Sequence, residues 1–171
     1  RSQQGLAGAG EWETLRKLLP DFKDKRVLDL GCGYGWHCIY AMEHGASSVV
    51  GVDISHKMLE VAKEKTHFPQ VEYKCCAIED VEFPEESFDV ILSSLAFHYV
   101  ADYEILVKKI YRILKSGGKL VFTVEHPVFT AYGTQDWHYN EKGEILHFPV
   151  DNYYYEGKRT AVFLGEKVTK S

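Results

Sequence analysis

The chain has 171 residues, of which 45% are hydrophobic and 26% charged, and its formal net charge is −5 at pH 7. This length and composition are those of one globular domain with room for a hydrophobic core. No apolar run approaches the roughly 20 residues that cross a bilayer. The polar, glycine-rich start does not resemble a signal peptide, so we expect a cytoplasmic protein with no membrane partner. Scattered Lys and Arg residues in an acidic chain argue against a nucleic-acid partner.

The four cysteines, Cys32, Cys38, Cys75 and Cys76, form no CxxC pair. Adjacent cysteines do not easily chelate one metal ion. We therefore expect no metal site and interpret the cysteines as reduced, buried thiols.

Periodicity predicts helices and strands that alternate along the chain. In chain order the sequence predicts helix 11–20, strand 26–30, helix 36–45, strand 48–54, helix 56–66, strand 71–75, strand 88–95, helix 103–114 and strand 119–125. Gly117 and Gly118 are predicted to close the last helix. Strands that are apolar on both faces and alternate with amphipathic helices form a parallel sheet covered on both sides. The sequence therefore predicts an α/β fold with a doubly wound, mostly parallel sheet.

Beyond Pro127 the chain becomes aromatic and polar. Residues 137–148 predict two short strands around a turn at Asn140–Gly143, and residues 152–164 predict a second hairpin around Glu156-Gly157. We expect residues 127–171 to form an aromatic β-hairpin insertion. It either covers the substrate mouth as a lid or pairs with a second copy of the chain in a homodimer.

Glycines occupy alternate positions after the first predicted strand, in the segment DLGCGYG at residues 29–35. Ligands of open α/β sheets bind at the carboxyl ends of the strands, where this segment lies. A dinucleotide loop has the pattern G-x-G-x-x-G, but Trp36 stands at the third glycine position. A phosphate-binding P-loop has Lys followed by Ser or Thr after the glycines, and this loop has neither. The pattern that fits is an acidic residue, one apolar residue and then G-x-G-x-G.

Together with VVGVDIS, FDVILSSLAFHYV and LKSGGKLVFTVEHP in the same order, this loop resembles the class I S-adenosylmethionine-dependent methyltransferases. The resemblance runs from about Arg26 to Glu125 and is to the small-molecule type related to quinone-biosynthesis methylases. It implies a Rossmann-like domain at 26–126, after an N-terminal segment at 1–25 and before the insertion at 127–171. It also implies S-adenosylmethionine as cofactor, S-adenosylhomocysteine as product, and a small-molecule acceptor methylated on O, N or C. The resembled fold has seven strands, so we expect its closing strands to be missing from this chain.

The resemblance and the chemistry of the side chains together suggest the cofactor contacts. A carboxylate at Asp29 would help to fix the amino-acid end, because opposite charge favours it near an ammonium group. Asp53 can accept hydrogen bonds from both ribose hydroxyls, and Ile54 can pack on the adenine. The full predicted set is Asp29, Gly31, Cys32, Gly33, Gly35, Asp53, Ile54, Ala77, Ile78 and Ser93.

One segment departs from the resembled pattern. Ala77 stands where the family often has an acidic residue that touches adenine. Backbone groups of Ala77 and Ile78 could serve adenine instead, or Glu79 or Asp80 could replace the missing acceptor. The alternative is that Glu79 and Asp80 are a solvated surface pair.

His98 is the candidate catalytic base, since it follows the fourth strand and histidine titrates in the useful range. Tyr34, His37, Tyr99 and His126 are candidates for the substrate pocket, with core packing as the alternative for the aromatic residues. Two other classes of protein stay open: an NAD(P)-dependent oxidoreductase and a non-catalytic nucleoside-binding or interaction module.

Overall fold

A computed structural model describes residues 5–131, 135–163 and 166–170 of the chain. The chain divides into two compact units. The first comprises Arg1–Phe97 and Asp102–Thr123, and the second comprises His98–Ala101 and Val124–Ser171. Predictions that fall on residues 1–4, 132–134, 164–165 and 171 lie outside the described residues. In the described part of the chain, no helix has the length and apolar character needed to span a bilayer.

Helices of the first unit begin and end close to their predicted positions. They are α1 (Trp12–Leu18), α2 (Trp36–Glu43), α3 (His56–Lys65) and α4 (Tyr103–Ile113). Ser55 caps α3 by accepting a hydrogen bond from the Met58 N–H, and Asp102 caps α4 in the same way from the Ile105 N–H. Such caps satisfy amide groups that the first turn of a helix leaves without partners.

Five parallel strands form the sheet of the first unit, in the order β3-β2-β1-β4-β5. The strands are β1 (Arg26–Leu30), β2 (Ser48–Asp53), β3 (Val71–Cys75), β4 (Phe88–Ser94) and β5 (Leu114–Thr123). The strand order reverses at β1, which is the doubly wound topology predicted from the sequence. The α/β, Rossmann-like fold is thereby confirmed.

The apolar runs of the central strands form the core. Val27, Leu28, Leu30 and Val49 have no exposed surface, and Ile91 on β4 has none either. Because α2 and the glycine loop follow β1 directly, this buried strand fixes the position of the loop at the carboxyl edge of the sheet. The core therefore determines where a ligand can bind.

The start of β5 differs from the prediction. The strand begins at Leu114, immediately after α4, and not at residue 119. Leu114 pairs with Phe88, and Lys119 then pairs with Val90, so a bulge absorbs the residues between them. Gly117 and Gly118 therefore lie inside a bulged strand instead of closing the helix. Glycine inside a strand commonly marks such a bulge.

The second unit contains two short antiparallel pairs. In the first, β6 (His138–Tyr139) pairs with β7 (Ile145–His147) around the turn expected at Asn140–Gly143. The Asn140 side chain accepts hydrogen bonds from the N–H groups of Lys142 and Glu144, which favours this turn. The predicted C-terminal hairpin is confirmed here.

The second hairpin prediction is wrong about which segments pair. β8 (Arg159–Phe163) pairs with the following strand β9 (Glu166–Lys170), not with the tyrosine segment before it. Residues 152–155 form a turn instead. The Arg159 guanidinium donates to the carbonyls of Tyr153 and Tyr155, both at 2.7 Å, and holds that turn.

Candidate functional site

The carboxyl ends of β1, β2 and β4 bring the main predicted residues to one edge of the sheet. Asp29 is in register with Gly51 on β2 and with Leu92 on β4. Asp53 ends β2, and Ser93 lies near the end of β4. The loop 31–35 starts from the same edge. Because the strand order reverses at β1, this edge is the expected ligand crevice of a doubly wound sheet.

The three loop glycines have different neighbours. All three have positive φ: +79° at Gly31, +53° at Gly33 and +75° at Gly35. A β-carbon on Gly31 would collide with the methyl group of Ala96, and one on Gly35 would collide with the Tyr73 hydroxyl. A β-carbon on Gly33 would meet only the Met58 sulfur, at 3.8 Å. Gly33 is thus the loop glycine whose missing side chain leaves open space.

Four backbone N–H groups of the loop have partners inside the protein. Those of Gly31 and Cys32 donate to the Val52 carbonyl at 2.8 and 2.9 Å, and that of Gly35 donates to the Cys32 carbonyl at 2.9 Å. A phosphate-binding loop would instead direct several such groups at an anion. These N–H groups are therefore not available to a phosphate.

Asp53 connects β2 to the glycine loop. Its Oδ2 accepts a hydrogen bond from the Gly33 N–H, and its Oδ1 accepts one from the Ser55 N–H, both at 2.8 Å. A carboxylate has about four lone-pair sites, so each oxygen retains capacity for a ligand hydroxyl. The neighbouring Ile54 side chain is 75% exposed, which is unusual for isoleucine and leaves an apolar face beside this carboxylate.

The segment after β3 runs beside Asp53. The Cys76 N–H donates to the Asp53 carbonyl at 3.2 Å, which brings Ala77 and Ile78 alongside. The terminal methyl of Ile78 lies 3.6 Å from the position of a Gly31 β-carbon. Residues Ile78–Asp80 form one 3-10 turn in which Glu79 and Asp80 are exposed. Ile78 is thus close to the loop, and a cofactor contact for Ala77 and Ile78 stays a prediction.

Asp29 is almost completely buried, with 1% of its surface exposed. Its Oδ2 accepts a hydrogen bond from the Cys38 thiol at 3.5 Å, and its Oδ1 has no hydrogen-bond partner. Burial raises the pKa of Asp29 to about 7; the Cys38 bond opposes this rise, and the nearby charge of Asp53 adds to it. The carboxyl group therefore exchanges its proton near neutral pH.

Ser93 lies beside the end of β1, where the loop begins, and its hydroxyl already has a hydrogen-bond partner. The hydroxyl is buried and donates to the Leu30 carbonyl at 2.8 Å. Two residues later, Leu95 has a φ of +53°, which is strained for a leucine. This turn places Ala96 against Gly31. The end of β4 therefore shapes the loop through packing.

His37, Tyr34 and Trp36 pack against neighbouring elements of the first unit. The ring centroids of His37 and Trp12 are 5.8 Å apart. His37 also lines a narrow crevice together with Leu15 and Ser94. The Lys65 ammonium lies 4.5 Å from the Trp36 ring centroid and 5.6 Å from that of Tyr34, within cation–π range. A pocket role for Tyr34 and His37 stays a prediction.

The other residues predicted to face the methyl acceptor, His98, Tyr99 and His126, belong to the second unit. The Glu125 N–H donates to His98 Nδ1 at 3.4 Å, and the His98 and Tyr99 rings are 4.3 Å apart. Burial, and then the charge of Glu125, raise the pKa of Tyr99. His126 stacks on Tyr153 with ring centroids 6.0 Å apart. Among the residues that the structure describes, no three His, Cys, Asp or Glu side chains converge as metal ligands.

Three residues that shape the loop were not predicted to do so: Cys38, Tyr73 and Ala96. The spacing of Cys32 and Cys38 indicated only buried thiols, and it did not predict the hydrogen bond from Cys38 to Asp29. The contacts of Tyr73 with Gly35, and of Ala96 with Gly31, join residues far apart in the chain. No local pattern encodes them.

The fold is that of a doubly wound α/β protein, and the predicted cofactor residues lie at the carboxyl ends of its strands. A family model described as a methyltransferase domain matches residues 28–122. A Listeria monocytogenes structure assigned to the S-adenosylmethionine-dependent methyltransferases is 56% identical, with a TM-score of 0.88 over 96% of this chain and 74% of that one. An S-adenosylmethionine-dependent methyltransferase from Mesorhizobium loti is 41% identical, with a TM-score of 0.82 over 91% of this chain and 70% of that one.

The chain therefore belongs to the methyltransferase domain family, of the class I S-adenosylmethionine-dependent kind, which confirms the predicted family. A ubiquinone biosynthesis O-methyltransferase of Coxiella burnetii is 36% identical over 64% of this chain. The chain spans 47% of that relative, and 61% of a Haemophilus influenzae relative that is 39% identical over 87% of this chain.

S-adenosylmethionine is the cofactor of this family, which confirms the predicted cofactor. The residues at the sheet edge fit it. The open space at Gly33 admits close approach to the backbone, and a carboxylate with remaining acceptor capacity lies beside an exposed isoleucine. The engaged loop amides agree with a ligand that has no phosphate.

Proposed function

We propose that this chain carries out S-adenosylmethionine-dependent methyl transfer to a small-molecule acceptor. The observation that carries the proposal is the Asp53 carboxylate. It is bonded to the Gly33 amide, beside the one loop glycine with open space in front of it. This arrangement supports the binding of a nucleoside whose sugar hydroxyls donate to the carboxylate.

In this proposal each part of the edge has one role. Asp53 accepts from the ribose hydroxyls, and Ile54 packs on the adenine face. Backbone groups of Ala77 and Ile78 serve the adenine edge. Asp29 faces the positive charge of the amino-acid end, directly or through water. Gly31, Cys32, Gly35 and Ser93 maintain the loop conformation through the bonds and close packing described above.

S-adenosylmethionine supplies a methyl group on a positively charged sulfur when it is bound. The protein then has to align the acceptor in line with the carbon–sulfur bond and to exclude water. No residue needs to form a covalent bond with the methyl group. An acceptor that loses a proton on methylation also requires a base.

His98 stays the predicted base, and its hydrogen bonding restricts how it could act. Because the Glu125 N–H donates to Nδ1, the proton of the neutral ring lies on Nε2. In this tautomer Nε2 is a donor, so His98 can accept a proton only if Nδ1 exchanges its partner. A His98→Gln variant that keeps full methyl transfer would contradict a role of His98 as the base.

The acceptor belongs to the proposal as well. One relative is named for O-methylation in ubiquinone biosynthesis, and another, from Arabidopsis thaliana, is a phosphoethanolamine N-methyltransferase 33% identical over 70% of this chain. Both names denote small-molecule acceptors, but with different acceptor atoms. We therefore propose a small-molecule acceptor and no nucleic-acid substrate. Roles of the aromatic hairpin as a lid or as a dimer surface stay predictions.

Calorimetric titration tests the proposal. S-adenosylhomocysteine is expected to bind. NAD is expected not to bind, because Trp36 stands where a dinucleotide loop has its third glycine and four loop N–H groups are bonded within the protein. Asp53→Ala should weaken S-adenosylhomocysteine by roughly 10- to 100-fold, the effect of losing hydrogen bonds to a charged group. Binding of NAD alone would indicate an oxidoreductase, and binding of neither compound would indicate a non-catalytic module. A screen of metabolites for S-adenosylhomocysteine release then identifies the acceptor.

A further inference from the structure

The carboxyl group of Asp29 is the most unusual polar group in the described part of the chain. Its Oδ1 and the Trp36 Nε1 are the two buried side-chain polar atoms there without a hydrogen-bond partner. Native proteins leave few such atoms, because a buried unsatisfied group is costly. An unpartnered carboxyl oxygen below a ligand-binding loop therefore points to an interaction that the ligand completes.

Cys38 is the only side chain whose hydrogen bond to this carboxyl the structure describes. The thiol donates to Oδ2 at 3.5 Å, and Cys38 is fully buried on α2, one turn after the loop. Its hydrogen bond with Cys32, together with burial, raises the pKa of Cys38 well above its usual value. Cys38 is therefore a neutral thiol over the pH range in which Asp29 exchanges its proton, and a thiol is a weak hydrogen-bond donor. It can orient the carboxyl without neutralising a full negative charge.

The other titratable groups that act on Asp29 come from the surrounding elements. They are Cys32 in the loop, Cys38 on α2, Asp53 at the end of β2 and Tyr73 on β3. Burial raises the pKa of Tyr73, so it is neutral as well. None of these groups carries a positive charge. A bound ammonium group would thus supply a charge that they do not provide.

We propose that Cys38 is a positioning residue for the cofactor: its thiol holds one oxygen of Asp29, and cofactor binding is coupled to release of the proton that Asp29 carries in the free protein. The positive charge of a bound ammonium group would favour the carboxylate form of this buried side chain. The carboxyl O–H bond breaks, its electron pair stays on oxygen, and the proton passes to solvent. This proposal rests on the proposed function.

Calorimetric titration with S-adenosylhomocysteine in buffers of different ionisation enthalpy measures how many protons the protein releases on binding. At pH 6 the wild-type protein is expected to release close to one proton per bound molecule, and at pH 8.5 almost none. Asp29→Asn should bind more weakly and release none. S-adenosylhomocysteine binding without proton release at pH 6 overturns the inference alone. Failure of S-adenosylhomocysteine to bind overturns the proposed function, and the inference with it.

Variants of Cys38 test its positioning role. Cys38→Ala removes the donor, so the midpoint of proton release should move to higher pH, and affinity below that midpoint should fall about tenfold for each pH unit of the move. Cys38→Ser keeps a donor, so its midpoint should stay at or below the wild-type pH.

A merely structural role would lower the thermal midpoint of unfolding and leave the pH midpoint unchanged. Val27→Ala is the matched control, since it opens a cavity at a fully buried position of the same strand as Asp29. A wild-type pH midpoint in Cys38→Ala, or a raised one in Cys38→Ser, would show that the thiol does not position the carboxyl group.

Discussion

At the scale of the residue, the loop glycines can be separated by experiment. Gly33→Ala should lower the free energy of unfolding by about 1 kcal/mol, because alanine is strained at a positive φ. The loss should be no larger, because the added β-carbon has no close neighbour. The substitution should nevertheless weaken S-adenosylhomocysteine at least about tenfold, since the methyl group occupies the space in front of the backbone. Gly31→Ala and Gly35→Ala should lose several times more stability, because they collide with Ala96 and Tyr73.

Gly143→Ala provides the matched control for this series. Gly143 has a φ of +77° and open space around a β-carbon, but it lies in the turn between β6 and β7. It should show the same stability loss as Gly33→Ala with unchanged S-adenosylhomocysteine affinity. Calorimetry and thermal unfolding measure both quantities. Equal affinity in the Gly33 and Gly143 variants would mean that the open space serves no ligand.

Asp29 should also make stability depend on pH. Its pKa is about 7 in the folded protein, against the ordinary aspartate value of 3.8, so the folded state holds the proton more tightly than the unfolded chain does. The associated stability is fully present below pH 3.8 and is lost as pH rises through 7. Relative to Asp29→Asn, the wild-type free energy of unfolding should therefore fall between pH 5 and 7, by at most about 1.4 kcal/mol per pH unit, and level off above pH 8.

Urea unfolding of the ligand-free protein measures this difference, with Asp89→Asn as the control. Burial alone would raise the pKa of Asp89, but hydrogen bonds from the Arg26 N–H and Lys115 lower it overall. Its contribution is lost only in acid, so its difference from wild type should be flat between pH 5 and 8. A flat profile for Asp29→Asn would show that Asp29 is ionised throughout this range.

At the scale of the element, the central strands were predictable, and the start of β5 and the turn at 152–155 were not. β1 to β4 begin and end within one residue of their predicted bounds, because each is an apolar run with polar or glycine ends. The early start of β5 depends on the pairing of Leu114 with Phe88. The turn at 152–155 depends on Arg159. Neither interaction has a local sequence pattern.

The Arg159 side chain gives a prediction at this scale. Its Nη2 donates to the carbonyls of Tyr153 and Tyr155, and its Nη1 donates to that of Pro127. A lysine carries its donors on a single nitrogen, so it cannot occupy both positions. Arg159→Lys should therefore speed chymotrypsin cleavage at the exposed Tyr154 and Tyr155 several-fold. Lys158→Gln, at the neighbouring exposed position, should cleave at the wild-type rate. Equal rates in both variants would mean that the carbonyl contacts do not hold the turn.

At the scale of the whole molecule, the sequence predicted where the candidate site residues lie in the fold better than it predicted the contacts between them. Strand order and the order of the motifs put Asp29, Gly33 and Asp53 at one edge, as the structure shows. The bond from Cys38 to Asp29 depends on how α2 packs below the loop. Such side-chain contacts follow from three-dimensional packing, so periodicity and spacing could not predict them.

A ligand at this edge should leave a footprint in hydrogen exchange. After short labelling times, S-adenosylhomocysteine should slow amide exchange in residues 31–36, 53–55, 76–79 and 93–96, which lie at the carboxyl ends of the parallel strands. The turns at 23–25, 45–47 and 84–87 lead into the amino ends of the strands and serve as internal controls, because local opening there is independent of the crevice. Mass spectrometry of peptic peptides measures the pattern. Protection at the amino edge, or the same protection with NAD, would place the ligand away from Asp53 and contradict the proposed site.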